Sequence, residues 1–236
     1  MGVRETTAGH GGRRRSGAPA KPTRRGPRPE EPRATRRAEN ARATRRALVR
    51  EARRLFTRHG YAEVSLEQIC ARARVTKGAL YHHFRDKRDL FRTVCREVEE
   101  LWVAEALAAA SAERDPLGRL QLGCQASLDG CLDPTVQRVL LLDGPAVLDW
   151  DELRQLDSHR GLGLMRTALE DAMEAGQLER QPREPLARLI LGALTEASLA
   201  IARDADPARA RRQMGLALER LIDGLAPHDQ PASSGG

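Results

Sequence analysis

The stretch VSLEQICARARVTKGALYHHFRDK, residues 64–87, decides the fold. Ser65 is a good N-cap, and Gln68 three residues on completes a capping box. A helix is predicted over 66–73, with Leu66, Ile69, Cys70 and Ala73 on one face by helical spacing. Arg74 and Val75 make a short turn, Thr76 caps a second helix reaching 84, and Asp86 caps a third and longer one. Val75, Ala79, Leu80 and Phe84 can point inward, which leaves Thr76, Lys77, Tyr81 and His82 outward, with His83 beside them. This is a helix-turn-helix pattern. It offers donors from the first turns of an exposed helix, flanked by phosphate-binding groups, as a helix reading the major groove of DNA requires.

Charge supports that reading. The 236 residues carry a net charge of +7, unevenly spread. Residues 1–40 hold 11 basic and 4 acidic groups, 41–96 hold 15 and 5, and 97–236 hold 14 and 24. A basic front and an acidic back suggest that only the front meets a polyanion. For a single arginine a solvated surface is the better reading. For the block it is nucleic acid, because the charge coincides with the helix-turn-helix.

The flanks read as follows. Residues 1–40, rich in Gly, Pro and Arg, bury too little to offset their ordering entropy and are expected to be a disordered basic tail. Its arginine clusters could touch DNA, or simply be solvated. A first helix is predicted over 42–59 with Leu48, Ala52, Leu55 and Phe56 inward, stopped by Gly60 at C′. Lys87 lies in the first turn of the helix after Asp86, where the dipole disfavours a cation, so a phosphate partner would explain it. That helix is expected to reach 110, joining a DNA-binding domain over 41–96 to a second domain over 97–226. Further helices are predicted over 117–131, 135–142 (broken by Gly144-Pro145), 149–175, 184–203 and 207–225, with a disordered tail over 227–236. No stretch shows period-two alternation, so the fold class is all-α.

The segment T-K-G-A-L-Y-H-H-F-x-x-K, with S-L-E-Q-I before it and L-F-T-R-H-G-Y before that, resembles the DNA-binding domain of the tetracycline-repressor (TetR) family, in order and without a break over 43–98. The sequence departs at Arg74, where that family often has Gly; a left-handed non-Gly residue costs roughly 1 kcal/mol. The second half, around R-V-L-L-L-D-G-P-A-V-L-D-W, is similar to regulatory domains of the same family, though less specifically. The resemblance implies an N-terminal three-helix reading domain and a C-terminal helical regulatory and dimerisation domain. It also implies a homodimer, double-stranded DNA with a palindromic operator as partner, and release by a small-molecule effector whose identity the sequence does not name. The candidate DNA-binding set is Ser65, Thr76, Lys77, Gly78, Ala79, Tyr81, His82, His83 and Lys87.

In the last two helices, Leu186, Ile190, Ala193, Ala197 and Ile201 share one face, as do Met214 and Leu221, and Leu218 widens that stripe. An ordinary intrachain core explains these residues. The family resemblance implies instead a four-helix interface between two copies, which a palindrome would suit. Helical phase offers Trp102, Cys124, Leu128, Leu141, Trp150 and Met165 as an apolar effector lining, with plain core as the competing reading of each.

Other classes are weaker. There is no G-x-S-x-G, Walker loop or G-x-G-x-x-G, so no enzyme is expected. His82 and His83 project to different sides and lack a third ligand, so neither metal nor cofactor is expected. Four cysteines without C-x-x-C spacing read as free thiols in a cytoplasmic protein, and redox sensing rests on them alone. No run of 18 apolar residues suggests a membrane span. The reading is a sequence-specific repressor; the alternative is an architectural DNA-binding protein without an effector.

Overall fold

A helix starts where a side chain can take up its free N–H groups, and this chain supplies such caps repeatedly. In the computed structural model, which describes residues 33–149, 152 and 160–227, such side-chain caps open five of the ten helices described. Helix α1 spans Arg33–Glu63, α2 Leu66–Ala73, α3 Lys77–His83 and α4 Lys87–Ala110. After them come α5 (Pro116–Gly130), α6 (Val136–Asp143, a π-helix), α7 (Gly144–Val147), α8 (Arg160–Glu174), α9 (Arg183–Arg203) and α10 (Pro207–Asp223). There is no strand among the described residues, and the fold class is all-α.

Three elements depart from the sequence reading. Helix α1 begins at Arg33, so residues 33–40 are helical where a disordered tail was expected. Composition averaged over the whole tail hid the local change: residues 33–41 contain Ala, Arg and Glu but no Gly or Pro. Gly60 does break α1, at φ 79°, and one further turn follows it. Gly144-Pro145 does not break the chain's helical course, because Pro145 falls in the first turn of α7, where its missing N–H costs nothing. Asp149 is not helical. It forms a capping box with Glu152, the Glu152 N–H donating to Asp149 Oδ1 at 2.9 Å and the Asp149 N–H to Glu152 Oε2 at 3.1 Å.

One continuous core runs from Leu48 to Ile222 through both halves. In the front half α1 packs on α2, α3 and the start of α4, around Phe56, Phe91 and Tyr61. Phe91 meets Phe56 edge-on at 5.2 Å between ring centroids and Tyr61 at 4.8 Å. In the back half α5 is central, touching α4, α8, α9 and α10, while α6 bridges α1, α4 and α9. Helix α9 is long and apolar enough to cross a membrane by length and composition. Here Leu186, Ala187, Ile190, Leu194, Ala197 and Ile201 bury one of its faces in this core.

That burial corrects the expected dimer residues. Leu186, Ile190, Ala197, Ile201 and Leu218 are buried within a single chain, and Ala193 and Met214 pack half-buried against the same core. Leu221, 49 % exposed, is the most open of the eight. A helix between its own core and a second copy carries two apolar faces, and periodicity alone finds the stronger, inner one. The residues expected to line an effector site are placed as follows. Cys124, Leu128, Leu141 and Met165 are core side chains. The Trp102 indole N–H donates to the Ser127 carbonyl at 2.8 Å, and its ring lies where a side chain on Gly130 would stand. Trp150 lies outside the described residues.

Candidate nucleic-acid interface

The surface is built from local caps. The Gln68 N–H donates to Ser65 Oγ at 3.2 Å and the Ser65 N–H to Gln68 Oε1 at 2.8 Å, closing the capping box of α2. Arg74 then takes a left-handed conformation, φ 56° and ψ 44°, and the Val75 N–H donates to the Cys70 carbonyl at 3.0 Å. The turn therefore keeps its geometry without Gly. Thr76 caps α3 by accepting from the Ala79 N–H at 3.2 Å. Asp86 caps α4 by accepting from the Asp89 N–H at 2.7 Å.

These caps fix the rotation of α3. Leu80 and Phe84 are buried, and Tyr81 (56 % exposed) and His82 face out with Thr76, Lys77 and Gly78. Ala79 and His83 are half-buried, as is Ser65 at the start of α2. A Cβ on Gly78 would meet only Thr76 Oγ1, at 3.9 Å, so this first turn is open to close approach. Burial, then the charges of His82 and Arg45, lower the His83 pKa, which favours neutral imidazole.

Two cations are already engaged. Lys77 Nζ forms an ion pair with Glu67 on α2. The hydrogen bond to Lys77 holds the Glu67 carboxyl at about 2, and the same bond raises Lys77. Sequence reasoning missed Glu67. Its only signal was a carboxylate in the first turn of α2, a favourable dipole position anyway. Lys87 was expected to need a phosphate. Instead its ammonium swings back, donating to the Ala62 carbonyl at 3.3 Å and lying 4.1 Å from the Tyr61 ring centroid. The end of α1 and an aromatic face take the cation that the start of α4 disfavours. Burial lowers its pKa accordingly.

Two polar junctions tie this head to the back half, and the sequence reading contained neither. The Tyr61 N–H, just after the Gly60 break, donates to Asp143 Oδ2 at 2.7 Å, and Arg138 Nε donates to the same oxygen at 3.3 Å. In the first turns of α4, Arg88 Nη1 donates to Glu152 Oε1 at 3.0 Å and Arg88 Nε to the Val147 carbonyl at 3.1 Å; Arg92 also pairs with Glu152. The D-x-x-E box at Asp149 was a readable signal for the helix start, though not for its arginine partners. The four thiols are buried, and burial pushes Cys95 and Cys124 up to about 12.

Comparison with known proteins gives a consistent picture. Residues 48–94 match the family described as "Bacterial regulatory proteins, tetR family", and residues 117–225 match "Tetracyclin repressor-like, C-terminal domain". The crystal structure of a TetR-family transcriptional regulator from Pectobacterium atrosepticum superposes with a TM-score of 0.72 at 30 % identity, over 84 % of this chain and 99 % of that one. The transposon Tn10 TetC protein of Escherichia coli is 26 % identical over 145 residues, 61 % of this chain and 73 % of that protein. The HTH-type transcriptional regulator TtgR of Pseudomonas putida is 33 % identical over 142 residues, 56 % of this chain and 66 % of its own length.

Proposed function

This chain belongs to the tetracycline-repressor family of helix-turn-helix transcriptional regulators, and from that premise we propose that it is a homodimeric repressor that leaves a palindromic operator when a small molecule binds its back half. The observation that carries the DNA reading is the capped α3, which turns Thr76, Lys77, Tyr81 and His82 outward together on the basic half of the chain. Lys77 and His82 meet base edges, with Lys77 exchanging Glu67 for DNA. Tyr81 and Lys87 hold phosphates, Lys87 giving up the Ala62 carbonyl. Ser65, Gly78, Ala79 and His83 complete the contact surface around them. Such a regulator works where the bacterial chromosome is, in the cytoplasm.

The dimer rests on the outer faces of α9 and α10. Leu189 (72 % exposed), Leu216 (50 %) and Leu221 are large apolar groups in the open, and a Cβ on Gly192 would meet nothing within 4 Å. Single exposed leucines are ordinary; three on adjacent helices, with a glycine that permits close approach, suit a second copy. The effector acts through its difference in affinity for two dimer geometries, and the change reaches α3 through the Asp143 and Glu152 junctions.

Selection of bound genomic fragments followed by footprinting tests the reading. One short protected palindrome is expected, and diffuse protection would favour an architectural protein. Lys77→Ala or His82→Ala should shift sequence preference by about 1–3 kcal/mol per lost base contact. Leu189→Arg with Leu216→Arg should give folded monomers in light scattering. A candidate effector that binds free and operator-bound protein equally well eliminates the release mechanism.

A further inference from the structure

The buried stripe of α1 is Leu48, Val49, Ala52 and Phe56. Followed toward the N-terminus at helical spacing, it continues through Arg45, Arg42, Ala38 and Thr35, where the core has ended. Arg45 marks the transition: its guanidinium lies 5.2 Å from the ring centroid of Phe84, the residue that closes α3. The first half of α1 therefore runs out past the C-terminal end of the reading helix. Glu39, Arg42, Arg45 and Arg46 surround an open notch of about 350 Å³ there. Residues 33–46 contain six arginines and one acidic residue, Glu39. Among the described residues none of Arg37, Arg42 or Arg46 has an acidic partner, whereas Arg88, Arg92, Arg119, Arg138, Arg183 and Arg211 are all paired.

An exposed helix that buries nothing, lined with unpaired guanidinium groups and set beside a DNA-reading helix, fits a rod of phosphates. Guanidinium forks match phosphate oxygens, and contacts of that kind position a protein without reading sequence. We propose that the N-terminal half of α1 is a second DNA-contacting surface, a basic arm that grips the phosphate backbone of the duplex flanking the half-site. The proposal rests on the reading of α3 given above. From Arg45 to Arg33 the helix extends about 18 Å at 1.5 Å per residue, which is about five base pairs at 3.4 Å each. The arm widens the footprint on both outer sides of a palindrome and leaves base preference to α3.

The test is a series of duplexes carrying the selected operator with progressively shorter flanks, titrated with full-length protein by fluorescence anisotropy across a range of salt concentrations. Wild-type affinity should fall as the flanks are removed. The double variant Arg42→Gln/Arg46→Gln should bind flanked and trimmed duplexes equally, with unchanged sequence preference and a salt slope shallower by about two per subunit. Glu39→Gln should move the other way, tightening binding to flanked duplex alone, and a gain cannot come from misfolding. Full flank dependence and an unchanged salt slope in the double variant would overturn the arm. Should the wild type fail to separate operator from scrambled duplex, the reading of α3 falls instead. The arm is then judged by the same length and salt series on scrambled duplex.

Discussion

The two halves of the molecule differ in how far along the chain their polar bonds reach. In the head α2, α3 and α4 are each started by a bond between residues three apart: Ser65 with Gln68, Thr76 with Ala79, Asp86 with Asp89. The back half has caps of the same kind, Asp115 with Gly118 and Asp206 with Arg209, and adds bonds between residues far apart in the chain: Arg119 to Asp171, Gln121 to Asp223, Arg211 to Asp129. Gln125 likewise donates to the Gly215 carbonyl at 2.9 Å, drawing α5 onto α10. The Asp143 and Glu152 junctions, with α4, are where the two halves meet.

The sharpest way to break this comparison is to attack the one thing the halves share, the continuous core. Phe91→Ala removes a fully buried ring from the head and should cost about 3–5 kcal/mol. Denaturant unfolding should remain a single transition read from either half; two separate transitions would mean the halves are not one cooperative unit. Glu152→Gln comes next. It weakens the partner of both Arg88 and Arg92 at a carboxylate only 17 % exposed, and should cost about 1–3 kcal/mol. A double-mutant cycle with Arg92→Ala should then give a coupling of about 0.5–3 kcal/mol.

Local contacts should respond more weakly. Ser65→Ala should lower stability by about 1 kcal/mol, through loss of one cap. Arg74→Gly should raise it by less than about 1 kcal/mol, because Gly relieves the left-handed strain but is more costly to order. The smallest effect is on pH dependence. Glu67 sits below its usual carboxylate range at about 2, so its contribution is complete above the unfolded carboxylate value and is lost as pH falls toward 2. An NMR titration should find that midpoint, and Lys77→Ala should raise it, the hydrogen bonds to the backbone and to Ser65 still holding it down.

How far each region could be read follows the same division. The α2 bounds, the three caps, the inward Leu80 and Phe84, and the outward Tyr81 and His82 were all legible, because each depends on residues within one or two turns. The contacts of Lys87 with the Tyr61 ring and the Ala62 carbonyl were not legible, because those partners lie some 25 residues away on α1. The start of α1 was misplaced because composition was averaged across a boundary at Pro32.

The sequence by itself determined most of the helices, the turn that carries Arg74, and which side chains of α3 face outward, since capping and periodicity act over a few residues and need no fold to be recognised. Only the tertiary structure decided which apolar face of α9 and α10 lies inward. It alone showed that Trp102, Cys124, Leu128, Leu141 and Met165 are engaged in packing, and that Asp143 and Glu152 clasp the head. Helical phase says which residues share a face, but what covers that face is settled by elements distant in the chain, whose packing no local pattern encodes.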